Sequence, residues 1–345
     1  MKDGITVIGT GQWGTMLAVM LARRGLPVTL WARTAAEAEE LRAGRENRLR
    51  LPGVIFPDDL AVSSSLEESL AGCWLLLLVV PAQRMRENVQ RLRPYVHKGT
   101  AIISAAKGLE METALRMTQV IKEELPEEHH ARIGVLSGPN LAREIAAGLP
   151  ASTVIAARDP SVAQFVQGLL MSPKFRVYTH DDVIGVELAG ALKNIIALGA
   201  GAADEFGYGD NAKAAFMTRG LAEMARLGVA AGANPMTFAG LAGLGDLICT
   251  CASRHSRNHY VGEELAKGRS WNDIEASMKM VAEGVYTTVA ARKLAQKYGV
   301  EMPITEAIYQ VIFEGKNPRQ AVMEMMVRAP KHELEGLEGD QYHSR

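Results

Sequence analysis

Along the first half of the chain, short unbroken apolar runs alternate with stretches whose apolar residues recur at helical spacing. The runs predict strands at Ile5–Gly9, Val28–Trp31, Ala61–Ser63, Trp74–Val80, Ala101–Ser104, Ile133–Leu136, Ser152–Ala156 and Phe175–Tyr178. Several are continuous in Val, Ile and Leu, the pattern of strands covered on both faces. Helices are predicted between them, among them Met16–Arg24, Ala35–Ala43 and Arg84–Arg93, with Gly25 as the C′ stop of the first. This alternation predicts an α/β fold: a Rossmann-type, doubly wound, mainly parallel sheet. From Asp181 to Ala329 the β-type runs all but vanish. Helical patterns replace them at Val183–Ala203, Asn211–Arg226, Arg257–Lys267, Thr287–Tyr298, Thr305–Phe313 and Arg319–Arg328. Gly240–Gly245 reads as a glycine-rich loop between helices. The expected division is a first domain over 1–182, an all-helical domain over 183–330, and a polar C-terminal tail over 331–345 that frays.

The first strand runs into Gly9-Thr10-Gly11-Gln12-Trp13-Gly14 and then a helix. A bare GxGxxG says little. With a strand before it, a helix after it and a second strand at βαβ distance, it predicts a dinucleotide site. Gly9 allows the tight turn, Gly11 the approach of a pyrophosphate, and Gly14 close packing of helix on strand. The helix N-terminus offers N–H groups and a positive dipole end to the phosphates. The first domain is therefore read as the dinucleotide-binding one. An acidic residue at the end of the second strand would hold an NAD ribose, but Arg33 stands there. A guanidinium can pair with a 2′-phosphate, so NADP is expected to be used alongside NAD and favoured over it; a solvated surface arginine is the bland alternative. Pro81 ends the fourth strand where ligands bind in open α/β sheets, or simply closes a turn.

Composition narrows the class. With 48% hydrophobic residues the 345-residue chain can bury a sizeable core, and a formal net charge of −1 without charged blocks argues against nucleic acid and membrane partners. Three cysteines at Cys73, Cys249 and Cys251, without framework or zinc-finger spacing, read as free thiols in a reducing compartment, with no metal expected. The N-terminus enters a strand almost at once, without a signal-peptide pattern, and the longest unbroken apolar run, Trp74–Val80, falls short of a membrane span. The expectation is a cytoplasmic, soluble enzyme.

Oxidising a secondary alcohol with a nicotinamide needs a base for the hydroxyl proton, and reducing the ketone needs the same group as an acid. Lys193 lies on an apolar, small-residue helix just past the domain boundary, next to Asn194. Burial or a second cation such as Lys107 would lower its pKa. Asp246 can orient it, with Asn194 and Thr250 completing a polar set. Alternatively Lys193 snorkels to water, Lys107 lies on the surface and Asp246 caps a helix. Ser256 is a good N-cap before a helix that opens with Arg257, an arrangement suited to a phosphate, or else a capped helix with an exposed arginine.

Taken in order, Ala106-Lys107-Gly108-Leu109-Glu110, Ser137-Gly138-Pro139-Asn140, Glu187 to Asn194, Gly243-Leu244-Gly245-Asp246, Ser256-Arg257-Asn258 and Glu301 to Glu306 resemble the bacterial NAD(P)-dependent glycerol-3-phosphate dehydrogenases. The resemblance covers nearly the whole chain. It implies Lys193 as proton acceptor, and Lys107, Gly138, Asn140, Asp246, Ser256, Arg257 and Asn258 around sn-glycerol 3-phosphate. It implies Gln12, Trp13, Arg33, Lys107, Ala142, Arg257, Val281 and Glu283 around the cofactor. It further implies a role in glycerophospholipid synthesis and a homodimer. Dehydrogenases of 6-phosphogluconate type would set Lys and Asn a helical turn apart rather than adjacent as in Lys193-Asn194. Those of 3-hydroxyacyl-CoA type would need a His at the domain junction. A non-catalytic NADP(H) sensor would have no use for Lys107, Lys193, Asp246 and Arg257 together.

Overall fold

The computed structural model describes residues 4–278, 280–330 and 332–333. The chain divides into two compact units: residues 1–106 with 117–183, and residues 107–116 with 184–345.

In the first unit all eight predicted strands form. They are β1 (Gly4–Ile8), β2 (Val28–Trp31), β3 (Leu60–Ser63), β4 (Cys73–Leu78), β5 (Ala101–Ser104), β6 (Ile133–Ser137), β7 (Ala151–Ala157) and β8 (Phe175–His180). They make one sheet in the order β3-β2-β1-β4-β5-β6-β7-β8. All neighbours are parallel except β6 and β7, which are antiparallel. Val7 lies between Leu30 of β2 and Leu77 of β4, and all three are fully buried. Unbroken burial along β5 has the same cause: each side chain, whichever face it takes, meets apolar cover. Strand order reverses between β1 and β4, the switch point at which α/β sheets bind ligands beyond their C-terminal strand ends. The helices of this unit are α1 (Gln12–Ala22), α2 (Ala35–Gly44), α3 (Leu66–Leu70), α4 (Met85–Leu92), α5 (Met117–Glu124), α6 (Ala142–Ala146) and α7 (Pro160–Leu170). Helix α1 starts four residues before the expected Met16. Gly25, expected at C′, sits one position further on, left-handed at φ 74° and donating its N–H to the Ala22 carbonyl.

The second unit is helical: α8 (Val183–Glu205), α9 (Gly209–Ala230), α10 (Pro235–Phe238), α11 (Asp246–Ala252), α12 (Arg257–Ala266), α13 (Trp271–Ser277), α14 (Glu283–Tyr298), α15 (Pro303–Phe313) and α16 (Pro318–Met326). Of these, α10, α11 and α13 were not expected. The supposed loop at Gly240–Gly245 is corrected: Leu241–Gly245 is one π-helical stretch running straight into α11. Three of its residues are small, so the pattern carries no helical periodicity. Gly243 is required there, because a Cβ would lie 2.1 Å from the Phe238 carbonyl oxygen.

Val183–Glu205 and Pro235–Ala252 are apolar and long enough to cross a membrane by composition, which a search for unbroken apolar runs misses because Glu187 and Lys193 interrupt the first. In that helix 83% of the apolar window is buried within the protein, as in a core helix.

A second correction concerns residues 107–116, expected inside the first domain but grouped with the helical unit. Contacts along the segment hold them. Asn194 Nδ2 donates to the Lys107 carbonyl at 3.0 Å, and Lys293 Nζ to the carbonyls of Met111 and Glu112. Arg116 and Glu187 form a buried ion pair at 2.5 Å. The expected tail over 331–345 lies, except for His332 and Glu333, outside the described residues.

Candidate active site

In the first unit the glycine loop is shaped by close approach. Gly9 sits at φ 119°, and a Cβ there would lie 2.5 Å from the Val79 carbonyl oxygen. At Gly14 a Cβ would lie 2.0 Å from the Gly9 carbonyl oxygen, so α1 can seat on the loop only without one. Gly11 differs: a Cβ there would meet nothing within 4 Å. That open space lies over the start of α1, where no side chain caps the helix and the first turn carries no acidic residue. A pyrophosphate needs such a cradle. Trp13 in the same turn packs 6.2 Å from the Phe175 ring and holds its buried Nε1 without a partner among the described residues. These features fit a dinucleotide. Asn47 was not singled out from the sequence, yet it steadies the loop. Its Nδ2 donates to the Thr10 carbonyl at 2.8 Å and to Thr15 Oγ1 at 2.9 Å. Arg33 is exposed just past β2. Pro81 is exposed and opens a 3-10 turn.

Elsewhere in this unit, Gly138 follows β6 at φ 143° against the backbone of Thr153. Asn140 Nδ2 donates to Thr153 Oγ1 at 2.9 Å, while its buried Oδ1 has no partner among the described residues. Ala142 is the buried first residue of α6.

In the second unit, α8 carries Lys193 and Asn194 into a buried polar cluster. Lys193 Nζ donates to Asp246 Oδ1 at 2.9 Å and to Thr250 Oγ1 at 2.5 Å. Asp246 and Thr250 are one helical turn apart on α11, so both face the same ammonium. Lys107 Nζ donates to the other carboxylate oxygen, Asp246 Oδ2, at 2.7 Å. A second chain of bonds fixes the neighbours. The Asn194 amide that holds Lys107 accepts from Asn258 Nδ2 at 2.8 Å, and Asn258 Oδ1 accepts from the Gly284 N–H at 2.9 Å. Lys193 is buried and does not snorkel, and Gly245 rather than Asp246 stands at the N-cap of α11.

Two ammonium groups on one carboxylate leave the cluster short of negative charge. Burial, the largest cause, pushes the Lys193 pKa down; the Lys107 charge adds to that, and the Asp246 carboxylate opposes it. Such a lysine gives up its proton more readily than a solvated one. An acid–base role then has a pH signature. A reaction needing neutral Lys193 speeds up as pH rises through its lowered pKa, and one needing the ammonium slows down. Lys107→Met removes a like charge and is expected to move that limb to higher pH. Asp246→Asn removes the opposing charge and is expected to move it to lower pH. The pH dependence of kcat in the oxidative direction checks both, and shifts of the same sign would refute the electrostatic account.

Ser256 is the N-cap of α12, its Oγ accepting the His259 N–H at 3.2 Å. Arg257 opens the helix and donates to the Val281 carbonyl at 2.8 Å, which links it to the stretch before Glu283, the first residue of α14. A cavity of about 350 Å³ lies beside this helix start, with Arg254, His255, Ser256 and Arg257 in its wall. Arg254 and His255 had not been picked out. The wall suits an anion, by helix N–H groups and guanidinium together.

The three cysteines form no disulfide, and burial pushes the Cys251 thiol up to about 12. Among the described residues no three His, Cys, Asp or Glu side chains gather where they could hold a metal ion.

Residues 4–163 match the sequence profile of the NAD-dependent glycerol-3-phosphate dehydrogenase N-terminus, and residues 182–323 that of its C-terminus. The chain is 49% identical over 330 residues to a glycerol-3-phosphate dehydrogenase [NAD(P)+] of Chlorobium limicola, covering 96% of this chain and 99% of that one. It is 51% identical over 333 residues to the protein of the same name from Geobacter sulfurreducens, with 96% and 99% covered. The crystal structure of glycerol-3-phosphate dehydrogenase from Coxiella burnetii is similar over 95% of this chain and 99% of that one, with a TM-score of 0.89 at 37% identity. Both halves of the sequence and the fold they take agree, and the chain belongs to the NAD-dependent glycerol-3-phosphate dehydrogenase family.

Proposed function

We propose that this chain interconverts dihydroxyacetone phosphate and sn-glycerol 3-phosphate with NAD(H) or NADP(H), and that Lys193 handles the proton. The observation that carries this reading is Lys193 itself: buried, held by Asp246 and Thr250, and depressed in pKa. The nicotinamide supplies or accepts the hydride. In reduction, Lys193 in its ammonium form gives a proton to the carbonyl oxygen as the carbon gains the hydride; in oxidation, neutral Lys193 takes the hydroxyl proton. The charge developing on oxygen is negative, and the electron-poor cluster of Lys193, Lys107 and Asp246 favours it. Asn194 and Asn258 keep Lys107 and the start of α12 in register. Ser256 and Arg257 anchor the substrate phosphate, whose binding energy then positions the reacting carbon. Gly138 and Asn140 are assigned to the same substrate.

For the cofactor we assign Gly9, Gly11, Gln12, Trp13, Gly14, Arg33, Lys107, Ala142, Arg257, Val281 and Glu283. We propose residues 1–106 with 117–183 as the dinucleotide-binding domain, 107–116 with 184–330 as the substrate domain, and 331–345 as a tail. We also propose a cytoplasmic homodimer that provides glycerol 3-phosphate for glycerophospholipids. The test follows loss of NADPH, and then NADH, with dihydroxyacetone phosphate and with unphosphorylated dihydroxyacetone. The phosphorylated ketone is expected to be turned over and the other to be poor. Equal rates would remove the phosphate anchor, and no turnover of either by protein that binds NADPH would remove the substrate assignment.

A further inference from the structure

The place where an NAD site carries its acid, the end of β2, holds Ala32 and Arg33, yet a carboxylate reaches that rim from one helical turn further on. Glu37 belongs to the first turn of α2, whose N-cap Thr34 accepts the Glu37 N–H at 3.2 Å. In a closed capping box the Glu37 side chain would return to the Thr34 N–H. Here it goes elsewhere. Oε1 accepts Thr10 Oγ1 at 2.5 Å, and Oε2 accepts the Arg33 N–H at 3.2 Å. Thr10 stands between Gly9 and Gly11, and Asn47 holds its carbonyl. The carboxylate thus ties the glycine loop to the end of β2, the two segments that flank the adenosine ribose in a dinucleotide-binding βαβ unit. A carboxylate has about four lone-pair sites, so two contacts leave it able to accept further donors. The Arg33 guanidinium, exposed on the same rim, meets no acceptor among the described residues.

We propose that Glu37 is the counterweight to Arg33 in choosing the cofactor: its carboxylate accepts the ribose 2′-hydroxyl of NAD(H) and repels the 2′-phosphate of NADP(H), which Arg33 attracts. One rim then carries an acceptor for the hydroxyl and a cation for the phosphate, and neither cofactor is excluded. The inference rests on reading the first unit as the NAD(P) site.

The test is a binding measurement on the full chain by titration calorimetry, without substrate. Wild type, Glu37→Gln and Arg33→Ala are titrated with NADPH and NADH, then with adenosine 2′,5′-bisphosphate and 5′-AMP as probes of the ribose alone. Glutamine keeps an acceptor for Thr10 but loses the charge. Glu37→Gln is expected to raise the NADPH-to-NADH affinity ratio about tenfold, the scale of one charge-assisted hydrogen bond, and Arg33→Ala to lower it by about as much. The two probes should follow the same split. A Glu37→Gln ratio within about twofold of wild type, even with both affinities reduced, would overturn the proposal and confine Glu37 to loop packing. Wild-type protein that binds neither dinucleotide would overturn the cofactor reading, and this inference with it.

Discussion

Lys193→Met is expected to lower kcat for dihydroxyacetone phosphate reduction by about a thousandfold, within the range for losing a general acid, with the affinity for NADPH unchanged. The substitution keeps the length and apolar stem of lysine, so the packing of α8 survives. It also leaves no orphaned charge: Asp246 keeps Lys107 at 2.7 Å, and the Thr250 hydroxyl still donates to the Asp246 backbone carbonyl at 2.6 Å. Loss of turnover would thus report on the proton and not on unfolding, which circular dichroism and cofactor titration verify. Lys193→Ala, with more room, should recover part of its rate when a small alkylamine is added. A Lys193→Met enzyme within about threefold of wild type would rule Lys193 out as the acid, given the size of effect general acids produce.

The second large effect is on stability. At Gly262 a Cβ would lie 1.8 Å from the Leu198 carbonyl oxygen, and at Gly201 a Cβ would lie 2.0 Å from that of His259. Helices α8 and α12 touch backbone to backbone at this crossing, and backbone cannot swing aside as a side chain can. Gly262→Ala is therefore expected to cost about 3 kcal/mol, the upper part of the range for overpacking. The same forced separation would pull Asn258 from Asn194 and lower kcat/KM even in folded protein. Gly168→Ala supplies the opposite sign. Gly168 is exposed in the last turn of α7 with nothing within 4 Å of its missing Cβ, so alanine there should stabilise by up to about 1 kcal/mol. Urea denaturation of both variants checks the pair. A neutral Gly262→Ala would mean that the crossing can open at little cost.

The strands were readable because burial on both faces writes itself as an unbroken apolar run, and Val28–Trp31 and Ala101–Ser104 fall on their expected residues. Helix starts were harder. Gln12 to Thr15 carry no apolar period, so α1 seemed to begin at Met16. The chemistry-bearing residues Lys193, Asp246, Thr250 and Lys107 were picked out and do meet in direct contact. Their supports were not. Arg116 and Glu187 are far apart in the chain, and nothing local marks them as partners. Glu37 is not legible as the acid because the ribose-binding position in the sequence is that of Arg33, just past β2, while the first turn of α2 bends a carboxylate back to the same rim. The π-helical stretch at Leu241–Gly245 was hidden by its glycines, which read as a loop although Gly243 lets the helical path pass against the Phe238 carbonyl.

Residues 107–116 also bear on inheritance. The chain leaves the first unit after Ala106, returns at Met117 and leaves again after Val183. A crossover between two related genes near codon 183 would look like a clean exchange of one module. It would nonetheless carry Lys107 and Arg116 along with the incoming nucleotide-binding half, while Asp246, Asn194 and Glu187 stayed behind with the other parent. Lys107, one of the two lysines on Asp246, therefore travels with the first half of the gene. Chimaeras joined at that point should work only when both parents agree at these contact positions, and a gene for residues 184–345 alone would lack Lys107, the second ammonium on Asp246.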